Sequence, residues 1–163
     1  MSRRLWIKNS YIKRFMKTTV RVKVFVDTNV LVDYLSPSRK DHNSALDLFG
    51  LILTSQIEAA LSTQSMLDAS YIARKFPDFS QSGFRATMIE LLARTNVEDI
   101  DSFDLKAALK DTETDLEDSA QIAFAYNQRC DVIITHDKKL LARTMPRPML
   151  AMTPESFLDR CRA

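Results

Sequence analysis

The chain has 163 residues, 45% of them hydrophobic, which suits one domain with a buried core and leaves too little for two. Its net charge of +2 hides an asymmetry: residues 1–23 hold eight of the 23 basic residues and no acid, so the remainder carries 15 basic against 21 acidic side chains, a net −6. An acidic body argues against a broad electrostatic grip on nucleic acid, two cysteines (Cys130 and Cys161) give neither a disulfide framework nor a zinc-type cluster, and no apolar run approaches the ~20 residues of a membrane span.

A reducing cytoplasm is the natural compartment for such a chain. Residues 1–21 read as a basic N-terminal extension without the continuous apolar core of a signal peptide. Leu5, Trp6, Ile7, Tyr11, Ile12, Phe15 and Met16 lie between its basic residues. Two readings stand: a basic amphipathic helix that touches membrane, RNA or a partner, or an over-extended start with Met16 as the true first residue. Residues 22–163 form the domain.

Val22–Val26 (VKVFV) is a β-rich apolar run and predicts a buried strand, followed by Asp27-Thr28-Asn29 and a helix over Val30–Leu35 that Thr28 or Asn29 can cap. Pro37 with Ser36 and Ser38 marks a loop. Helical spacing resumes from Asn43 to Gln56, and Ala59–Ser62 predicts a second strand. Thr63 to Lys75 predicts a helix with Met66, Leu67, Ser70 and Tyr71 patterned for one face. Residues 77–82 read as a flexible loop, Phe84–Arg94 as a helix and Val97–Ile100 as a short strand. Helices follow over Phe103–Lys110 and Leu116–Gln128, the latter rich in alanine. Asp131–Thr135 is a β-branched strand. Lys138–Arg143 reads as a short helix and Pro148–Met152 as the last strand. Thr153 then caps a terminal helix with Pro154 in its first position. Strands alternate with helices, and no hairpin signal such as Asn-Gly occurs. The expected fold is a three-layer α/β/α domain around a mainly parallel sheet.

Ligands of such sheets bind beyond the carboxyl ends of the strands. Asp27 directly follows the first strand, and Asp137 follows DVIIT with His136 between. Asp118 lies near the start of the alanine-rich helix, three residues after Asp115, and Asp68 lies on the flank of an apolar face in SMLDASYIA. Each has an ordinary explanation: aspartate is common in turns, helix first turns favour acids, and boundary residues reach water. Glu117 is expected to face solvent. Convergence would change the reading, because clustered carboxylates repel one another unless a hard cation such as Mg²⁺ joins them. The chemistry that needs such a cation is phosphate-ester hydrolysis.

These segments resemble the PIN domains. VFVDTNVLVDYL is similar to their opening motif, LSTQSMLDASYIA to the second, and DLEDSAQIAFAYNQRCDVIITHDKKL to the third and fourth, in the same order and over about residues 22–152. The nearest flavour is the bacterial VapC-type toxin branch. The resemblance implies a Mg²⁺- or Mn²⁺-dependent endoribonuclease that hydrolyses RNA, with catalytic acids at Asp27, Asp68, Asp118 and Asp137. Asp27, Asp118 and Asp137 would be the metal ligands, Asp68 and Asp115 outer ones, and Thr28, Asn29 and Thr135 supporting polar groups. Asp68 stands where the family usually has the longer glutamate. His136, Lys138, Lys139, Arg74 and Lys75 are candidate phosphate contacts. The resemblance further implies a homodimer and an antitoxin protein whose tail enters the acidic groove. The rival within the same fold is an inactive RNA-binding or protein-interaction module.

Other strand-end-aspartate folds fit less well. A haloacid-dehalogenase-type phosphatase needs a second aspartate two residues after the first, where this chain has Asn29. A receiver domain needs an acidic pair near its first strand. With Gly50 and Gly83 the only glycines, neither a G-x-G-x-x-G loop nor a P-loop can be written.

Overall fold

The computed structural model describes residues 21–146 and 148–162. The basic extension therefore lies, apart from Arg21, outside the described residues. Five strands alternate with helices: β1 (Lys23–Val26), α1 (Thr28–Leu35), α2 (His42–Leu53), β2 (Glu58–Ser62), α3 (Thr63–Ala73), α4 (Gln81–Arg94), β3 (Asn96–Glu98), α5 (Ser102–Ala108), α6 (Leu116–Asn127), β4 (Val132–Ile134), α7 (Lys138–Ala142), β5 (Leu150–Met152) and α8 (Pro154–Arg162).

The strands pair in the order β3-β2-β1-β4-β5, every neighbour parallel. β1 is central, with Phe25 opposite Ala60 of β2 and Ile133 of β4. Alternate side chains of a strand face opposite sides, and the core divides accordingly. Val24, Val26, Leu61 and Ile134 pack on one side with α1, α2 and α8; Phe25, Ala60 and Ile133 pack on the other with α6 and α7. This is the expected three-layer arrangement. Phe25 meets Phe124 of α6 edge-on at 5.6 Å between ring centres. Truncating either fully buried ring to alanine would cost about 3–5 kcal/mol.

Three local expectations need correction. α1 starts at Thr28, so Asp27, not Thr28 or Asn29, occupies the cap position. In α3 the buried stripe is Ser65, Ala69 and Ala73, whereas Leu67 and Tyr71 are 68% and 66% exposed. Small side chains let α3 lie close against α1, and the larger ones are left outside. Finally, the 77–82 loop is shorter: Ser80 accepts from Gly83 N–H at 3.3 Å and starts α4 at Gln81. Asp78 ties that loop to the α1–α2 connection by accepting from the N–H and hydroxyl of Ser38 at 2.9 and 3.1 Å.

α2 and α6 end without glycine. Ser55 and Arg129 take φ of 56°. Gln56 N–H donates to Leu51 O and Ser55 N–H to Ile52 O, a pattern repeated by Cys130 to Ala125 and Arg129 to Tyr126. Both are Schellman closures, in which the left-handed residue satisfies the last helix carbonyls.

The strand order reverses direction at β1, with β2 and β3 on one side and β4 and β5 on the other. The carboxyl ends of β1 and β4 therefore flank the topological switch point, where open parallel sheets take their ligands.

Candidate active site

Asp27 caps the carboxyl end of β1 and is 5% exposed. Its N–H donates to Ile134 O on β4 at 3.0 Å, which fixes it against the neighbouring strand. Thr135, fully buried, donates its hydroxyl to Asp27 Oδ2 at 2.8 Å and accepts from Asp137 N–H at 2.9 Å. One threonine thus orients two of the expected acids. Asp137 in turn caps α7, its Oδ1 accepting from Lys139 N–H at 2.6 Å and Leu140 N–H at 3.2 Å.

The remaining acids come from α3 and α6. Asp115 caps α6 by accepting from Asp118 N–H at 3.0 Å, which places Asp118 one turn into the helix. The loop before α6 is held by Arg143, whose Nη1 donates to Asp111 Oδ2 (2.6 Å) and Thr114 Oγ1 (2.9 Å). Ser119 of α6 joins the same cage through Asp111 and Thr114. Asp68 on α3 accepts from Gln64 Nε2 at 2.9 Å on both oxygens.

These side chains line one open cleft of about 450 Å³, together with Thr28, Asn29, Tyr71, Ile72, Glu117, Gln121 and Lys139. The structure therefore brings together all of Asp27, Asp68, Asp115, Asp118 and Asp137. It adds Glu117, which is solvent-exposed as expected and lines the open cleft as well. Positions 117, 118 and 121 of α6 share the cleft wall. Gln121, three and four residues after the two acids, was the missed neighbour; its Oε1 is buried without a partner. Helical spacing alone would have found it.

The electrostatics follow from six carboxylates against one lysine among the lining residues. Burial, with Asp115, Asp137, Asp27 and Glu117 adding repulsion, pushes Asp118 up to about 6. Burial raises Glu117, reinforced by Asp68, Asp115 and Asp27. Asp27 is also raised by burial, although the Thr135 hydroxyl and the first amides of α1 pull the other way. No three of the cleft acids bring oxygens within 4.8 Å of one another, a spread that mutual repulsion favours. The donors are all oxygen, and the negative charge is mostly uncompensated. That set fits a hard divalent cation and fits a soft or nitrogen-seeking metal poorly.

The candidate phosphate contacts separate. Lys139 lines the cleft. Arg74 and Lys138 are exposed outside its lining, and Lys75 lies over the Tyr71 ring at 4.6 Å. His136 turns away from the cleft, its Nε2 3.2 Å from Asp33 Oδ2.

Acids gathered at the switch point of a parallel sheet make an all-oxygen donor set where such sheets take their ligands. The family model described as PIN domain matches residues 23–139, and the chain belongs to the PIN domain family. Ribonuclease VapC1 of Aquifex aeolicus is 24% identical over 141 residues, which cover 85% of this chain and 94% of that protein. Among solved structures, Mycobacterium tuberculosis VapC20, a sarcin-ricin loop cleaving toxin, aligns with TM-score 0.56 and 16% identity over 77% of this chain and 99% of its own. A toxin–antitoxin complex from Klebsiella pneumoniae aligns with TM-score 0.57 and 21% identity over 80% and 97%. These structural likenesses confirm the fold.

Proposed function

We propose that this protein is a Mg²⁺- or Mn²⁺-dependent endoribonuclease and the toxin of a toxin–antitoxin pair. The observation that carries the reading is the uncompensated charge of the cleft, seen most plainly in Asp118. Asp27, Asp118 and Asp137 would hold the cation, with Asp68 and Asp115 outside them. When bound, such an ion polarises a phosphoryl oxygen and offsets the charge of the incoming phosphodiester.

The chain's own groups have separate tasks. Thr135 holds Asp27 and Asp137 in register through its hydroxyl. Thr28 and Asn29 present polar groups at the cleft edge. Lys139 offers a cation to the RNA backbone, a positioning contact without sequence information. Tyr71 sets an aromatic ring at the cleft, where an unpaired base can stack. Glu117 takes the acidic position that Asp68 fills poorly, because Asp68 is short and both its oxygens are engaged by Gln64.

Residues 22–163 would carry this activity in the cytoplasm, with residues 1–21 as a separate basic extension. No helix among the described residues is long and apolar enough to cross a membrane. The relatives that are toxins in complex with antitoxins support a small antitoxin protein as partner. Leu67, Ile89 and Leu92, 57–68% exposed on α3 and α4, support pairing of two copies.

The test is cleavage of a structured RNA in Mn²⁺, wild type against Asp27→Asn. That change keeps the shape and removes a charge. Wild type should cut and the variant should lose at least about 100-fold, more than outer-shell changes at metal sites cost. Equal cleavage by both would sink the assignment and leave the inactive-module reading.

A further inference from the structure

His136 and Asp137 are adjacent, yet they point into different surroundings. Behind the cleft, three segments meet: the end of α1 (Asp33), the start of α2 (Asp41) and the β4–α7 turn (His136). Asp33 is a buried carboxylate whose side chain is 2% exposed. Arg39 Nε pairs with its Oδ1, and His42 Nδ1 lies 2.8 Å from its backbone oxygen. Its Oδ2 has no hydrogen-bond partner, and neither has His136 Nε2, although the two atoms are only 3.2 Å apart. They are close but not aligned for a hydrogen bond. Asp41 occupies the cap position of α2, where an aspartate normally accepts from the helix amides. It makes no such bond, and one of its oxygens lies within 4.8 Å of both other ligand atoms. Among the described residues, this is the one place where three such groups come so close.

We propose that Asp33, Asp41 and His136 form a second metal site, separate from the cleft, for a divalent transition metal of the zinc class. One imidazole and two carboxylates suit Zn²⁺ or its neighbours better than Mg²⁺. Bonds of about 2.0–2.2 Å place ligand atoms about 3–3.5 Å apart, which matches the Asp33–His136 separation. A common cation also accounts for both orphaned atoms, and the Asp41 backbone, at φ −98° and ψ 15°, leaves its carboxylate free of the helix amides. Arg39 serves as the outer partner: by taking Oδ1 it turns Oδ2 toward His136. The competing explanation is an ion pair in which a protonated His136 answers Asp33. That explanation leaves the misalignment without a cause and gives the Asp41 carboxylate no part. A metal here would clamp α1, the α2 start and the β4–α7 turn, and so fix the peptide that carries Asp137.

The test reads bound metal, so it stands or falls independently of ribonuclease activity. Full-length protein is equilibrated with Zn²⁺ for dialysis and for crystallographic anomalous scattering. Wild type should show a peak about 2.1 Å from His136 Nε2 and bind one Zn²⁺ more per chain than His136→Gln. Asp41→Asn, at a half-exposed position that folding tolerates, should weaken this site at least tenfold, and Asp27→Asn should keep it. Anomalous peaks confined to the cleft acids, or equal stoichiometry and affinity in wild type, His136→Gln and Asp41→Asn, would overturn the proposal in favour of the ion pair.

Discussion

Asp111 and Asp118 sit seven residues apart at the approach to one helix, and their carboxyl groups shift in opposite directions. Asp111 is lowered, first by the Arg143 hydrogen bond, then by the Glu113 amide and Ser119 hydroxyl. Asp118 is raised to about 6 by burial and by four acidic neighbours. The first carboxylate has a cation of its own and locks a loop. The second faces a cleft whose charge the protein leaves unpaired. A charge that is compensated within the fold reports structure; one that the fold works against reports a ligand.

The comparison can be broken at several strengths. The largest effect falls on the cleft. Glu117→Gln should lower RNA cleavage by about 100-fold, and Asp68→Asn by about tenfold or less, the range of ligand and outer-shell losses at metal sites. The reverse order would remove Glu117 from its assigned position. Lys139→Ala comes next. It should weaken RNA binding uniformly across sequences and reduce the slope of log K against log salt by about 1. An unchanged slope would place the phosphate contact elsewhere.

On the structural side, Arg143→Ala removes the partner of Asp111 and Thr114 and should destabilise the domain by about 1–2 kcal/mol in urea unfolding. RNA cleavage should fall only a few-fold, through a looser α6 start. The smallest effect is a gain. Arg129→Gly relieves a left-handed non-glycine residue at the end of α6. The relief, about 1–2 kcal/mol, exceeds the added chain entropy of glycine, about 0.5–1 kcal/mol. A net stabilisation of roughly 0.5–1 kcal/mol should raise the urea midpoint.

Much of this was legible beforehand because two periodicities did the sorting. VKVFV and DVIIT are strands by their β-branched runs, and an acid directly after each must share a sheet edge once the sheet is parallel. Asp27 and Asp137 are therefore legible from the sequence. Helix position added Asp115 and Asp118, the flank of an apolar face added Asp68, and the motif order joined them to the strand-end acids. Other features were not legible because they depend on angle, not spacing. Glu117 is exposed as expected, but its place on the cleft wall depends on the roll of α6 against the sheet, which spacing does not give. Leu67 and Tyr71 share an apolar face in the sequence pattern; α3 instead buries the small Ser65, Ala69 and Ala73 so that it can approach α1. The Asp33–Asp41–His136 cluster joins residues up to 103 positions apart, and no local pattern announces it.

The central claim is that the cleft holds carboxylate charge against its own stability so that a cation can join it. In metal-free protein Asp118 keeps its proton in the folded state between its ordinary 3.8 and about 6, while the unfolded chain has released it. Folding then binds more protons, so stability must fall as pH rises through that window. The decisive measurement is the thermal midpoint in EDTA from pH 4.5 to 7.5, repeated with Mg²⁺, for wild type and Asp118→Asn. The site's contribution should make the wild-type midpoint drop relative to Asp118→Asn as pH rises. Asp118→Asn should melt higher than wild type at pH 7.5 in EDTA, by on the order of 2–4 °C per kcal/mol relieved, and Mg²⁺ should raise wild type more than the variant. A wild type that matches or exceeds Asp118→Asn at pH 7.5 in EDTA, with no response to Mg²⁺, would contradict the account.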